Sequence, residues 1–76
     1  MDIYNYELIV EGIVNKKRFL NFNHIIIKST IDNNTRMILW VDQSSLYAVL
    51  KTIRDLKLII ISLRLLERKG DEKNEK

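Results

Sequence analysis

The chain has 76 residues, of which 46% are apolar, carries a formal net charge of +3, and contains neither cysteine nor proline. This length indicates one domain, close to the smallest size that a single core stabilises, and the lack of cysteine excludes disulfides and thiolate ligands. The composition also excludes collagen-like and ordinary disordered chains. The longest apolar run, residues 58–66, is shorter than the roughly 20 residues that a membrane-spanning helix needs. The first residues lack a basic and then apolar targeting pattern, so we expect a soluble cytoplasmic protein.

The first part of the chain predicts one strand and an irregular connection. Residues 6–14 alternate in polarity, which is typical of a strand with one apolar face. Residues 15–23 break this alternation and contain several asparagines and a basic triplet. They predict a connection with a short helical turn, anchored by Phe19, Leu20 and Phe22.

A β-hairpin is predicted next. Two strand-like runs, residues 24–31 and 36–41, flank a polar segment in which asparagine tolerates the left-handed conformation of tight turns. A two-residue turn at 33–34 would place Ile27 opposite Trp40 and Ile26 opposite Val41.

The clearest element is an amphipathic helix that begins after Asp42. The Asp42 carboxylate is a favourable N-cap, and Val41 and Leu46 have the spacing of a hydrophobic staple. Aliphatic residues then recur at helical spacing along one face, which we expect to pack on the sheet. They are Leu46, Val49, Leu50, Ile53 and Leu56.

A last strand is predicted to start at Leu58, directly after the helix. Both of its faces begin with aliphatic residues, which favours a central strand covered on both sides. Residues 67–76 contain no apolar side chain to bury and predict a disordered, charged tail. Residues 1–66 would then form the single domain.

The elements together predict an α+β fold with a three- to four-stranded, mainly antiparallel sheet and one helix packed on one face, in the order β-β-β-α-β. A right-handed crossover would make the last strand parallel to the third. The sheet would then be a ferredoxin-like variant that lacks its first helix. An open meander is the alternative.

A specific motif accompanies this helix and strand. It consists of Asp42-Gln43-Ser44-Ser45-Leu46 at the start of the helix, Ile53-Arg54-Asp55-Leu56-Lys57-Leu58 at its end, and Ser62-Leu63 in the last strand. This pattern resembles a family of short uncharacterised prokaryotic proteins that share the pattern DQ(A/S)xL, IRDLGL and a final SV pair. The resemblance covers about a third of the chain and implies no known activity. Relatives usually have glycine at the position of Lys57, so Lys57 is expected to adopt the positive φ that closes a helix.

Catalytic and metal-binding functions have little support in the sequence. Asp42 and Asp55 lie near opposite ends of the helix, so they cannot act as an acid–base pair, and Asp42 is sufficiently explained as a cap. Glu7 and Glu11 are expected to be solvated strand carboxylates. His24 is the only histidine, and one histidine without cysteine cannot build a nitrogen- and sulfur-ligated metal site in one subunit. We therefore predict no enzyme activity, no metal and no cofactor.

Nucleic-acid binding is the second hypothesis. Lys16, Lys17 and Arg18 form the sharpest basic cluster of the chain, and the aromatic residues Phe19 and Phe22 follow it closely. Exposed aromatic rings can stack on bases, but a run of three charges is also typical of a solvated turn.

Association is the favoured function. One helix covers only one face of such a sheet, yet the other face is not polar in sequence, and exposed apolar patches usually mark association sites. Arg54 and Asp55 join this surface because the fold assigns them no clear duty, although Lys51 is a possible partner for Asp55. The predicted interaction residues are Ile9, Ile13, Trp40, Ile60, Arg54 and Asp55. We expect a homodimer that forms through the sheet or through a paired edge strand, or another protein as partner.

Overall fold

The computed structural model describes residues 2–68, which contain four strands, one α-helix and one short 3-10 helix. The elements are β1 (Tyr4–Val10), the 3-10 helix (Lys16–Phe19), β2 (Ile25–Ser29), β3 (Thr35–Val41), α1 (Gln43–Asp55) and β4 (Ile60–Arg68). The strands form one antiparallel sheet in the order β2-β3-β1-β4, and α1 packs on one of its faces. The predicted α+β class is confirmed.

The strand order confirms the predicted direction of β4 and corrects its predicted position in the sheet. Because β1 pairs antiparallel with both β3 and β4, β4 runs in the same direction as β3 but is separated from it by β1. An open meander is excluded, since β1 does not neighbour β2. The prediction that β4 is a central strand is wrong, because β4 lies at an edge. Compared with a complete ferredoxin-like arrangement, the connection from β1 to β2 contains only the 3-10 helix.

The first strand ends four residues earlier than predicted, because Gly12 turns the chain. Its φ of 84° lies in the left-handed region, which glycine adopts without a steric penalty. The turn is held by side chains from the start of β3: Asn34 Oδ1 accepts from Gly12 N at 3.0 Å, and Thr35 Oγ1 donates to Gly12 O at 2.7 Å. The chain therefore leaves the sheet after Val10.

The hairpin of β2 and β3 is confirmed, but its predicted register is wrong. Ile27 lies opposite Met37, and Ile26 lies opposite Ile38. The loop spans residues 30–34 rather than two residues, because Thr30 closes it through its backbone and its hydroxyl. Thr30 N donates to Asn34 O at 2.8 Å, while Thr30 Oγ1 accepts from Asn34 N at 3.1 Å. Asn33 supplies the single left-handed residue of this loop, with φ 63°.

The caps of α1 agree with the prediction at both ends. Asp42 Oδ1 accepts from Ser45 N at 2.8 Å. At the other end, Lys57 has φ 60°, and Leu58 N donates to Ile53 O at 3.1 Å. This bond and the one from Lys57 N to Arg54 O are those of a Schellman motif, which normally has glycine at the left-handed position.

The core lies between α1 and the sheet. The buried apolar residues of the described chain are Leu8, Val10, Phe19, Met37, Leu39, Val41, Leu46, Val49 and Ile53. Phe19 and Phe22 anchor the connection to this core as predicted, whereas Leu20 is exposed. The last strand continues to Arg68, two residues past the predicted domain boundary, and the rest of the predicted tail, residues 69–76, lies outside the described residues.

Candidate association interface

The last strand presents an unusually apolar edge. On one side β4 pairs with β1, and on its other side it has no neighbour among the described strands. Its aliphatic side chains remain accessible: Ile61 is 51% exposed, Leu63 40% and Leu65 45%, and Ile60 and Leu66 are similar. We call residues 60–66 the β4 edge.

Part of the β4 edge extends the core beyond the cover of the helix. Leu63 lies directly opposite Leu8, and Leu65 lies opposite Tyr6, so these side chains share the face on which α1 packs. Leu8 is fully buried, whereas both leucines of β4 are exposed by two fifths or more. The apolar face of the sheet therefore continues from β1 onto β4, where α1 no longer covers it.

The opposite edge of the sheet has a different character. β2 has only five residues, and it carries Lys28 and ends at Ser29. Short edge strands and edge lysines are common protection against pairing with another chain. β4 has nine residues, and its basic residue inside the edge segment, Arg64, is held by a carboxylate of the same chain. The two edges therefore differ in length and in free charge, while β4 has two register shifts against β1, next to Ile61 and Leu66.

That carboxylate is Glu7, at the centre of the face that α1 does not cover. Glu7 Oε2 accepts from Arg36 Nε at 2.6 Å, and Glu7 Oε1 accepts from Arg64 Nη2 at 2.8 Å and from Arg64 Nε at 3.0 Å. Arg64 lies directly opposite Glu7 on β4, while Arg36 on β3 lies opposite Ile9, two residues along from the position that faces Glu7. The Glu7 side chain is only 9% exposed.

The two guanidinium groups hold Glu7 in its ionised form. The hydrogen bonds from Arg64 and then Arg36 lower the pKa of Glu7, against a smaller opposing effect of burial. The prediction of a solvated carboxylate is wrong for Glu7, although Glu11 is exposed as expected. The sequence does place an acidic residue in β1 and basic residues, Arg36 and Arg64, in β3 and β4. Their pairing with Glu7, however, depends on a strand order that the sequence leaves open. An ionised carboxylate between two arginines is suited to bind strands together.

The predicted interaction residues are distributed over different parts of the surface. Ile9 and Trp40 lie on the open face, where both are partly buried. Ile60 lies opposite Val10 on the face of the helix, and Ile13 is exposed in the segment that follows β1. The structure does not bring these residues together as one patch.

Arg54 and Asp55 interact near the end of α1. Arg54 Nη2 lies 3.4 Å from Asp55 Oδ1, and Lys51 Nζ lies 3.7 Å from Asp55 Oδ2. The expected pairing of Asp55 with Lys51 is therefore present. All of these side chains are largely exposed, so the ion pairs contribute little to stability.

The basic cluster occupies the 3-10 helix. Lys16, Lys17 and Arg18 are exposed, and Asn15 Oδ1 caps the helix by accepting from Lys17 N at 3.0 Å. A groove of about 310 Å³ adjoins this helix. Phe19, however, is buried in the core and is not available to stack on a base.

A second groove, of about 240 Å³, is lined by residues that include His24, Trp40 and Asp42. Asp42 is committed to the N-terminus of α1, and the hydrogen bonds of Ser45 lower the pKa of Asp42. Within residues 2–68, no three side chains of His, Cys, Asp or Glu are grouped in a way that could hold a metal ion.

Comparisons with protein-family models, with curated proteins and with solved structures gave no match to this chain. None of the helices in the described part of the chain has the length and apolar character needed to cross a membrane.

Proposed function

We propose that this protein is a small, non-enzymatic association module that forms a homodimer through the β4 edge. The observation that carries the proposal is the exposure of the aliphatic side chains along a nine-residue edge strand. An edge strand also leaves backbone N–H and C=O groups unpaired, and a second strand can satisfy them. Main-chain hydrogen bonds and apolar contacts would thus act at the same place.

The small size of the domain supports the same proposal. A chain of 76 residues buries a limited apolar area on folding, and α1 leaves Leu63 and Leu65 accessible at the end of the apolar rows. A second copy would remove these side chains from water and stabilise both subunits.

The proposal includes a cellular setting. The protein would act in the cytoplasm as one of the short prokaryotic proteins that share the helix and strand motif, with its helix and sheet as a ferredoxin-like variant. The motif residues in α1 support a structural role, since Asp42 caps the helix and Ile53 packs in the core.

The test is sedimentation velocity of the full chain over a wide concentration range, for the wild type and two lysine variants. We expect the wild type to approach twice its mass of 9.1 kDa as concentration rises. Leu63→Lys should remain a monomer, because the paired strand would bury its charge. Leu20→Lys is the matched control, since Leu20 is exposed and lies outside β4. A wild type that stays monomeric, or a Leu63→Lys variant that dimerises normally, would refute the proposal.

Nucleic-acid binding is the second candidate function, and the exposure of Lys16, Lys17 and Arg18 on one short helix is the observation that favours it. A polarisation titration with single-stranded RNA and DNA at low salt tests it, because phosphate contacts weaken as salt rises. Binding that the triple alanine variant of this cluster abolishes would support this function. An unbound wild type at low salt would eliminate it.

A further inference from the structure

The β4 edge has a polarity pattern that is symmetric about Leu63. The neighbours of Leu63, Ser62 and Arg64, are both polar, and two large aliphatic residues follow on each side. These aliphatic residues are Ile60 and Ile61 before the centre, and Leu65 and Leu66 after it. Residues 60–66 therefore match their own sequence pattern when two copies run antiparallel.

Such symmetry is what a two-fold strand pair requires. In an isologous interface the same surface meets itself, so a strand that pairs with its own copy must be self-complementary. Building on the proposed homodimer, we infer that β4 pairs antiparallel with the partner's β4 in the register that sets Leu63 opposite the partner's Leu63. The next pair of this register is Ser62 with the partner's Arg64. In sequence order Ile61 and Ile60 then follow opposite the partner's Leu65 and Leu66, at the two ends of the segment, where β4 shifts its register against β1.

The charges of β4 disfavour the registers that are shifted towards its C-terminal end. A pair centred on Arg64 would set two guanidinium groups directly opposite each other, and like charges in that position are destabilising. A pair centred on Leu65 would set Leu63, inside the β4 edge, opposite the partner's Glu67, whereas the register centred on Leu63 sets Glu67 opposite the partner's Ile59, which lies just before β4. In the register centred on Leu63, each aliphatic residue of the segment faces an aliphatic residue.

The structure of the subunit supports the same centre. Leu63 lies opposite the fully buried Leu8, which lies opposite Met37 in the core. Pairing at Leu63 would join the sheets of the two subunits into one continuous antiparallel sheet with its apolar residues on the same face. On the open face, Arg64 is paired with Glu7 at 2.8 Å and would meet the hydroxyl of the partner's Ser62. Glu7 is shared with Arg36, so each subunit brings one carboxylate and two guanidinium groups to this face.

Cysteine cross-linking of the full chain tests the register, because the wild type contains no cysteine. Directly opposed residues of antiparallel strands have Cβ atoms about 4.5–5.5 Å apart, close to the separation that a disulfide needs. We expect mild oxidation to shift Leu63→Cys from the monomer to the dimer band on a non-reducing gel. Leu65→Cys is the matched control and should stay monomeric on the gel, because its two copies would be separated by about four residues along the strands.

A second measurement preserves Leu63 in case its replacement weakens the dimer. A mixture of Ser62→Cys and Arg64→Cys should form a cross-linked heterodimer, because these positions face each other in the inferred register. Sedimentation of the same variants before oxidation shows whether they dimerise, and it thereby separates a failure of the homodimer from a failure of the inferred register.

The outcomes are distinct. Cross-linking of Leu63→Cys and of the mixture, without that of Leu65→Cys, supports the register. Cross-linking of Arg64→Cys alone or Leu65→Cys alone, without that of Leu63→Cys, overturns the register and leaves the homodimer standing. Variants that sediment as dimers but do not cross-link at any of these positions overturn strand pairing through β4. A monomeric wild type overturns the proposed function itself.

Discussion

The helix α1 and the strand β4 are separated by only four residues, and both are rich in aliphatic side chains, but they use them differently. Val49 and Ile53 of α1 are almost completely buried in the core, whereas Leu63 and Leu65 of β4 are 40% and 45% exposed. The apolar face of α1 is buried within one chain. The apolar residues of β4 are buried only in part, and this difference indicates which substitutions should affect folding and which should affect association.

The largest expected effect is on the helix side of this comparison. Ile53→Ala should lower the free energy of unfolding by about 2–5 kcal/mol, because it leaves a cavity in the core. Leu63→Ala should cost clearly less in a dilute monomeric sample, since Leu63 already contacts water. Urea unfolding of both variants measures the difference. Equal losses would show that β4 is as fully packed in the monomer as α1.

The next effect concerns association alone. The wild-type melting temperature should rise with protein concentration, because only folded chains dimerise and dimerisation therefore stabilises the folded state. Each tenfold increase corresponds to about 1.4 kcal/mol per mole of dimer. Leu63→Lys should abolish this dependence, whereas Ile31→Lys, at a 98% exposed position in the β2–β3 loop, should retain it. If the melting temperature of the wild type did not depend on concentration, association through the β4 edge would be contradicted.

A pH effect should report on the ion pairs by which Glu7 joins β1 to β3 and β4. Because the pKa of Glu7 is lowered in the folded state, its contribution to stability is present above the ordinary glutamate range and is lost as the pH falls through the lowered value. Glu7→Gln should therefore be less stable than the wild type at neutral pH, and the difference in melting temperature should shrink on acidification.

Glu11→Gln is the control for this effect, because Glu11 is exposed and makes no ion pair among the described residues. It should change little at either pH. A difference between Glu7→Gln and the wild type that stays constant across the acid range would show that the charge of Glu7 does not stabilise β4.

The smallest expected effect is at the junction between the two elements. Lys57 has a positive φ, which costs a residue with a side chain about 1 kcal/mol relative to glycine. Lys57→Gly should therefore stabilise the protein by about this amount, whereas Lys51→Gly, inside α1, should destabilise it by about 1 kcal/mol. Thermal unfolding ranks the two. Destabilisation by Lys57→Gly would mean that α1 ends in another conformation in solution.

Local signals in the sequence were sufficient for α1. Its cap depends on Asp42 and a residue three positions later, whereas the left-handed conformation of Lys57 at its end was implied only by the resemblance. These interactions span only a few residues, so their pattern is visible without knowledge of the fold. The α+β class follows from the same kind of signal in the alternating strands.

Long-range pairing was not available from the sequence. The position of β4 beside β1 joins residues 50 or more positions apart, and the salt bridge from Glu7 to Arg64 exists only in that arrangement. An apolar strand has the same sequence pattern whether it is central or at an edge that binds another chain. The hairpin register failed for a local reason, since the hydroxyl of Thr30 bonds to a residue four positions later and extends the loop beyond the turn that asparagine alone suggests.

Hydrogen exchange of the backbone amides of β4, followed over a range of protein concentration, is a direct test of association through the β4 edge. Strand pairing would protect the outward-facing amides of residues 60–66, so their exchange should slow as concentration rises, while the amides of β2 at the other edge should exchange at an unchanged rate. Exchange in β4 that does not depend on concentration, or equal protection at both edges, would contradict association through the β4 edge.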